Sequence, residues 1–237
     1  MSRPGPLRDR APELVTIVDL SHEGRGVARV DGKAIFVDDA LPGEVVEIVR
    51  VRRQRSFDEA KLLKVIEPSA ERVTPKCVHY GTCGGCALQH MSSDAQLRMK
   101  QKQLIEELAR IGHVSPQEVL PPLQASAWNY RRRARLGVRW VFKKEKTLVG
   151  FRERGSSFIA DLKACEVLRG PLDRLVAPLG ELISGLSVRA RLAQIEAAVA
   201  RLAGAVREEL EFRGKSAAER SADLAAPRTA SEGPSPE

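Results

Sequence analysis

Residues 77–86 read Cys77-Val78-His79-Tyr80-Gly81-Thr82-Cys83-Gly84-Gly85-Cys86, and Cys165 follows far downstream. These are the 4 cysteines of a 237-residue chain, so three thiols share one short loop. Thiols gathered this way and closed by one distant partner grip a metal centre with four thiolates. Gly84 and Gly85 let the backbone approach inorganic sulfide and turn N–H groups towards it. Five residues and then two between the thiols depart from the paired spacing of zinc ribbons. The pattern points to a [4Fe–4S] cluster on Cys77, Cys83, Cys86 and Cys165. Three other fates remain open at the level of residues: a four-cysteine zinc site, two disulfides, or unliganded reduced thiols. His79 and His90 flank the loop as orienting or surface residues, because four thiolates already complete a site.

Upstream of that loop the chain changes character. Residues 14–20, 26–30, 33–37, 45–51 and 60–66 are short apolar runs with period two, which predicts five strands. Asp31-Gly32 is a two-residue hairpin signal, Pro42-Gly43 marks a turn, and residues 52–58 form a polar loop. Strands this short and this close suit a small closed barrel of the oligonucleotide-binding type. Arg50, Arg52, Arg53 and Arg55 are candidates to track a phosphate backbone, or else the solvated side of a strand and its loop. Residues 1–12, rich in Pro and Arg, predict a disordered arm.

Downstream, Ser93-Asp94-Ala95-Gln96 is a capping-box signature. Leu97, Leu104, Leu108 and Ile111 then recur at helical spacing, which predicts a core-facing amphipathic helix stopped by Gly112. Residues 128–141, Trp128-Asn129-Tyr130-Arg131-Arg132-Arg133-Ala134-Arg135-Leu136-Gly137-Val138-Arg139-Trp140-Val141, read as a strand. On a strand Arg131, Arg133, Arg135 and Arg139 share one face, with Arg132 on the other. Guanidinium groups so placed repel one another unless an anion sits between them. Arg forks grip phosphates, and Trp128, Tyr130 and Trp140 offer stacking platforms, so the stretch is a candidate RNA-binding face. The alternative is a solvated edge strand guarded by arginines. A hairpin around Gly155-Ser156-Ser157 then delivers Cys165 back to the loop. Leu172, Leu175, Val176, Leu179, Leu182 and Ile183 predict a second helix. Leu192, Ile195, Val199, Leu202, Val206 and Leu210 continue at similar spacing, and a polar disordered tail follows from about residue 215.

Lys and Arg number 39 against 31 Asp and Glu, a net charge of +8, which favours a polyanionic partner and nucleic acid first. No stretch approaches a membrane span and no apolar leader follows Met1, so the expectation is a cytoplasmic protein with no membrane partner. The fold class is α+β. A five-stranded OB-like barrel at 13–68 follows the arm at 1–12. A small α/β iron–sulfur domain with antiparallel strands spans 69–192, and a helical, then disordered, tail spans 193–237.

These residues resemble a known family. Gly24-Arg25-Gly26-Val27-Ala28 and Leu41-Pro42-Gly43-Glu44 look like a TRAM domain, the barrel that opens many RNA-modifying enzymes. Cys77-x5-Cys83-Gly84-Gly85-Cys86 with Gln89-His90, then Tyr130–Leu136 as quoted above, Gly150-Phe151-Arg152 and Cys165, are similar to the RNA uracil-C5 methyltransferases. The branch they most resemble is the 23S rRNA (uracil-5-)-methyltransferase family with a [4Fe–4S] cluster. The likeness runs from about residue 14 to 191 and fades near Ala193. It implies that Cys77, Cys83, Cys86 and Cys165 are cluster ligands. It also implies that the barrel and the basic domain hold 23S rRNA, for which the residue pattern itself offers Trp128, Tyr130, Arg131, Arg132, Arg133 and Arg135 as contacts. A monomer that does not bind DNA is expected. Family members transfer methyl from S-adenosylmethionine in a C-terminal Rossmann-like domain, where a cysteine adds to uracil C6 and a carboxylate removes the C5 proton. Here no spare cysteine and no glycine-rich strand-to-helix turn are found, so catalytic residues and a cofactor pocket are absent from the expectation. The implied protein is the RNA-recognition half of such an enzyme, truncated and inactive alone. Its rival is a stand-alone RNA-binding iron–sulfur module.

Overall fold

The computed structural model describes residues 11–199. Five strands, β1 (Glu13–Leu20), β2 (Gly26–Val30), β3 (Lys33–Val37), β4 (Val45–Arg53) and β5 (Phe57–Glu67), close into a barrel in the order β1-β2-β3-β5-β4. Every pairing is antiparallel except β3 with β5, which is parallel. Alternation decides what faces inward: Val15 and Ile17, Ile35 and Val37, Val46 and Ile48 are all buried, and Ala28 and Ala60 complete the core. The β2–β3 turn puts Asp31 and Gly32 at φ 50° and 76°, the left-handed region that this dipeptide tolerates.

Helix α1 (Ser93–Arg110) starts one residue earlier than the capping-box reading, with the Ser92 hydroxyl accepting from the Ala95 N–H. The structure corrects its expected core-facing stripe. Ala95 is the buried residue of this helix, while Leu104 is 58% and Ile111 69% exposed. Its first turn seats against the barrel through Leu41, Met91 and Ala95; Leu97 is half-buried, and the C-terminal part of the stripe, Leu104, Leu108 and Ile111, is exposed.

The second sheet has the order β7-β6-β8, built from β6 (Arg133–Val141), β7 (Lys146–Gly150) and β8 (Gln194–Ala198) in antiparallel pairs. A 3-10 turn at Phe142–Lys144 joins β6 to β7. The inner face of β6, Ala134, Leu136 and Val138, packs with Val149, Leu162, Val167 and Leu168 beneath helix α2 (Leu172–Ser184). Gly180 of α2 passes so close to β7 that a Cβ there would meet the Thr147 carbonyl oxygen at 2.7 Å.

β8 corrects the expected helical tail. Ile195, Ala197 and Val199 are spaced by two as well as being part of an apolar series, and the open edge of β6 takes them as a strand. Backbone pairing with that edge outweighs the helical propensity of an Ala/Glu-rich run. Most of the expected arm at 1–12, and the remainder of the tail beyond 199, lie outside the described residues.

Candidate cluster site and RNA-binding face

The loop 77–86 is held as a near-strand against the segment after β7. The Gly84 N–H donates to the Arg152 carbonyl (2.8 Å), and the Arg154 N–H donates to the Thr82 carbonyl (2.9 Å). The approach leaves little room for side chains. A Cβ on Gly84 would lie 3.0 Å from the Arg152 oxygen, and one on Gly85 3.1 Å from the Phe151 ring. The Gly85 N–H donates to Cys83 Sγ at 3.4 Å, the contact expected of a glycine beside a cluster sulfur. Cys165 arrives from the core, with its N–H on the Asp173 carbonyl and its own carbonyl accepting from Leu168.

Cys77, Cys83, Cys86 and Cys165 all line one small cavity, whose exposed wall is almost wholly apolar and includes Phe151 and Leu162. Burial pushes the Cys83 and Cys165 thiols up from their ordinary value, and the neighbouring thiols add to the effect. Among the described residues, however, no three His, Cys, Asp or Glu side chains form a group able to hold a metal ion. Four thiols lining one cavity are a donor set that either a tetrahedral zinc or an iron–sulfur cluster would take.

A polar junction ties this site to the barrel. Arg154 donates through Nη1 to both oxygens of Asp39 (2.7 Å each) and through Nη2 to the Cys86 carbonyl, with its guanidinium 4.6 Å from the Tyr80 ring. The Tyr80 hydroxyl lies 2.8 Å from Asp39 Oδ1, 2.7 Å from the Ala87 carbonyl and 2.5 Å from His90 Nδ1. Burial raises the Asp39 carboxyl, but the bonds from Arg154 and Tyr80 outweigh it and hold it below the ordinary range. His90 is 2% exposed and its burial lowers it to about 4, so the imidazole is neutral at pH 7. His79, nearer the surface, accepts the Lys163 N–H at Nε2.

The predicted RNA contacts separate into three groups. Trp128 is half-buried against the central core with Lys76 over its ring, whereas Tyr130 is 49% exposed. Arg131 precedes the strand, bridges Leu168 through its backbone and lies 5.5 Å over the Phe151 ring, while Arg132 is exposed. Arg133 and Arg135 project from β6 together, and the anion between them is Glu196 of β8. Arg133 Nη2 donates at 2.6 Å and Arg135 Nη2 at 2.9 Å. Hydrogen bonds from both hold the Glu196 carboxyl below its usual range. Sequence reasoning missed Glu196, which lies in the stretch read as helix. It also missed Arg152 and Arg191, which line the same sheet face as Arg139. The only trace of the former was its place in Gly150-Phe151-Arg152.

The described residues thus combine a closed five-stranded barrel, a four-thiol cavity and an arginine-bearing sheet. Residues 14–70 match the family described as "tRNA (uracil(54)-C(5))-methyltransferase, TRAM domain". The 23S rRNA (uracil(1939)-C(5))-methyltransferase RlmD of Legionella pneumophila (strain Lens) is 48% identical over 199 residues, covering 84% of this chain and 45% of the relative. The protein of the same name from Nitrosococcus oceani is 50% identical over 188 residues, covering 79% and 42%. Among solved structures, the Pyrococcus abyssi tRNA (uracil-54, C5)-methyltransferase in complex with S-adenosyl-L-homocysteine aligns at 28% identity and TM-score 0.49. That alignment covers 72% of this chain and 36% of that one. The chain belongs to the RNA uracil-C5 methyltransferase family. It spans less than half the length of the curated relatives it matches.

Proposed function

We propose that this chain is the RNA-recognition portion of an S-adenosylmethionine-dependent methyltransferase that modifies C5 of a uridine in 23S rRNA, and that alone it transfers no methyl group. The observation that carries the reading is the destination of the thiols. The sequence has 4 cysteines and all of them line one cavity, so none is left to add to uracil C6. The same four would hold a [4Fe–4S] cluster. When bound, that cluster supplies a covalent staple between the loop, the segment after β7 and the approach to α2. Gly85 orients the Cys83 sulfur for it, and Phe151 and Leu162 keep water from the cavity. Residues 13–68 act as the barrel and 69–192 as the RNA-binding iron–sulfur domain of a cytoplasmic monomer that binds neither DNA nor membrane.

Two measurements test this. Incubated with 23S rRNA and methyl-labelled S-adenosylmethionine, the purified chain binds RNA and leaves it unlabelled, and robust labelling contradicts the proposal. Purified without oxygen, it contains iron and acid-labile sulfide in equal amounts, about four of each per chain. A colourless zinc protein contradicts the cluster.

A second reading, a stand-alone RNA-binding iron–sulfur module, is favoured by β8, which returns residues 194–198 to the open edge of β6. Supplying the catalytic part of an RlmD enzyme in trans separates the two. Restored methylation supports the first reading, and methylation indifferent to the chain supports the second.

A further inference from the structure

Across the outer face of β6 runs a groove of about 730 Å³ that the proposed function leaves without an occupant. Arg135, Arg139, Phe142, Arg152, Ile159 and Arg191 are among its lining residues, and no Asp or Glu lines it. Its floor is sunk where Gly137 and Gly150 stand opposite each other in register. A Cβ on Gly137 would collide with Ile159 Cδ1, so the bare backbone is what lets Ile159 close that wall.

Electrostatics and exposure describe what fits. Arg135 is engaged by Glu196, but among the described residues the guanidinium groups of Arg139, Arg152 and Arg191 make no hydrogen bond or ion pair. Three cations facing one trough with no carboxylate repel one another, and an occupant carrying regularly spaced negative charges relieves this. One end of the groove is aromatic. Arg189 stacks 4.7 Å over Trp140, and Phe142 stands edge-on to that ring at 6.2 Å while remaining 76% exposed. An exposed phenyl ring at the end of a cationic trough is a stacking platform, and every unpaired base has a face to offer it. Bases inside a duplex are already stacked and have none.

We infer that this groove holds a single-stranded stretch of RNA, with its phosphates against Arg139, Arg152 and Arg191 and one unpaired base stacked on Phe142. The inference rests on the RNA-recognition reading and adds to it the place and the form in which RNA is taken.

Fluorescence anisotropy with the full chain tests it, comparing a short unstructured RNA with a blunt duplex of the same length. The wild type favours the single strand. Replacing Arg139, Arg152 and Arg191 together with Ala weakens that binding about tenfold or more. It also flattens the log–log salt dependence by about 2, near 0.7 for each phosphate no longer neutralised. Phe142→Ala weakens binding about tenfold with the salt slope unchanged. All four side chains are exposed or half-exposed, so an unaltered unfolding midpoint certifies the variants. If the wild type binds RNA but these variants bind equally well, the groove assignment is overturned. Equal duplex binding with equal loss overturns the single-strand assignment, and displacement of RNA by polyglutamate at matched charge reassigns the groove to an acidic protein. A chain that binds neither RNA overturns the recognition reading itself.

Discussion

The half-buried arginines of the barrel and the exposed arginines of the three-stranded sheet are used in opposite ways, while Arg52, Arg53 and Arg55, at the end of β4 and in the loop to β5, are exposed like those of the sheet. In the barrel the half-buried arginines are neutralised from within. Arg50 forks onto Glu13 and reaches Asp58, which is 1% exposed and also takes Lys33, while Arg72 grips the fully buried Glu44. Burial raises the Asp58 and Glu44 carboxyls, but the bonds to Lys33, Arg50 and Arg72 outweigh it and hold both below the ordinary range. Such charges tie strands together and have nothing left for a ligand. On the sheet, Arg133 and Arg135 share one exposed carboxylate and, among the described residues, Arg139, Arg152 and Arg191 share none. Net charge therefore says little about where a polyanion binds, and the local balance of partners says much more.

The contrast breaks most visibly inside the barrel. Asp58→Ala strips Lys33 and Arg50 of the carboxylate they share, and removing one partner of a buried pair costs about 3–5 kcal/mol. Urea unfolding reads this as a large drop in midpoint, while RNA affinity per folded molecule stays within about twofold of wild type. A comparable drop in affinity would place barrel charges in the RNA interface.

The junction responds to pH. His90 is lowered to about 4 when folded against an ordinary value of 6.5, so the unfolded chain binds the extra proton between these values. Its contribution is complete above pH 6.5 and is lost as pH falls towards 4, up to about 3 kcal/mol. His90→Gln flattens that part of the stability–pH curve, and an unchanged slope would contradict the assignment.

Arg154→Ala cuts the tie between Asp39, Tyr80 and the Cys86 carbonyl, at about 2 kcal/mol. Differential scanning calorimetry then resolves separate barrel and central transitions, where a single unaltered peak would show that the tie is dispensable. The smallest effect on stability comes from Glu196→Gln. An ion pair this exposed is screened by water and salt, so the midpoint barely moves, while freeing Arg133 and Arg135 tightens RNA binding and steepens its salt dependence. Weaker binding would mean that Glu196 positions these arginines rather than competing with RNA.

Much of this architecture was legible in the residues because its signals are local. Period-two runs with Asp31-Gly32 and Pro42-Gly43 marked out the barrel, and the Cys77–Cys86 spacing marked three of the thiols that share a cavity. What the sequence hid depends on distant neighbours. The apolar stripe of α1 was visible, but periodicity does not report whether anything packs on it, and Leu104 and Ile111 stand exposed. Ile195 and Val199 satisfy helical spacing, yet with Ala197 they satisfy a strand too, and an open β6 edge settled the choice. Arg50 looked like a phosphate ligand because its partners, Glu13 and Asp58, lie on other strands.

Ultraviolet crosslinking of the full chain to a 23S rRNA fragment, with mass spectrometry of the crosslinked peptides, tests the division of labour most directly. The account predicts adducts in the peptides carrying Arg139, Phe142, Arg152 and Arg191, and none on Arg50 or Arg72. Adducts confined to the barrel, with the sheet face untouched, would contradict it.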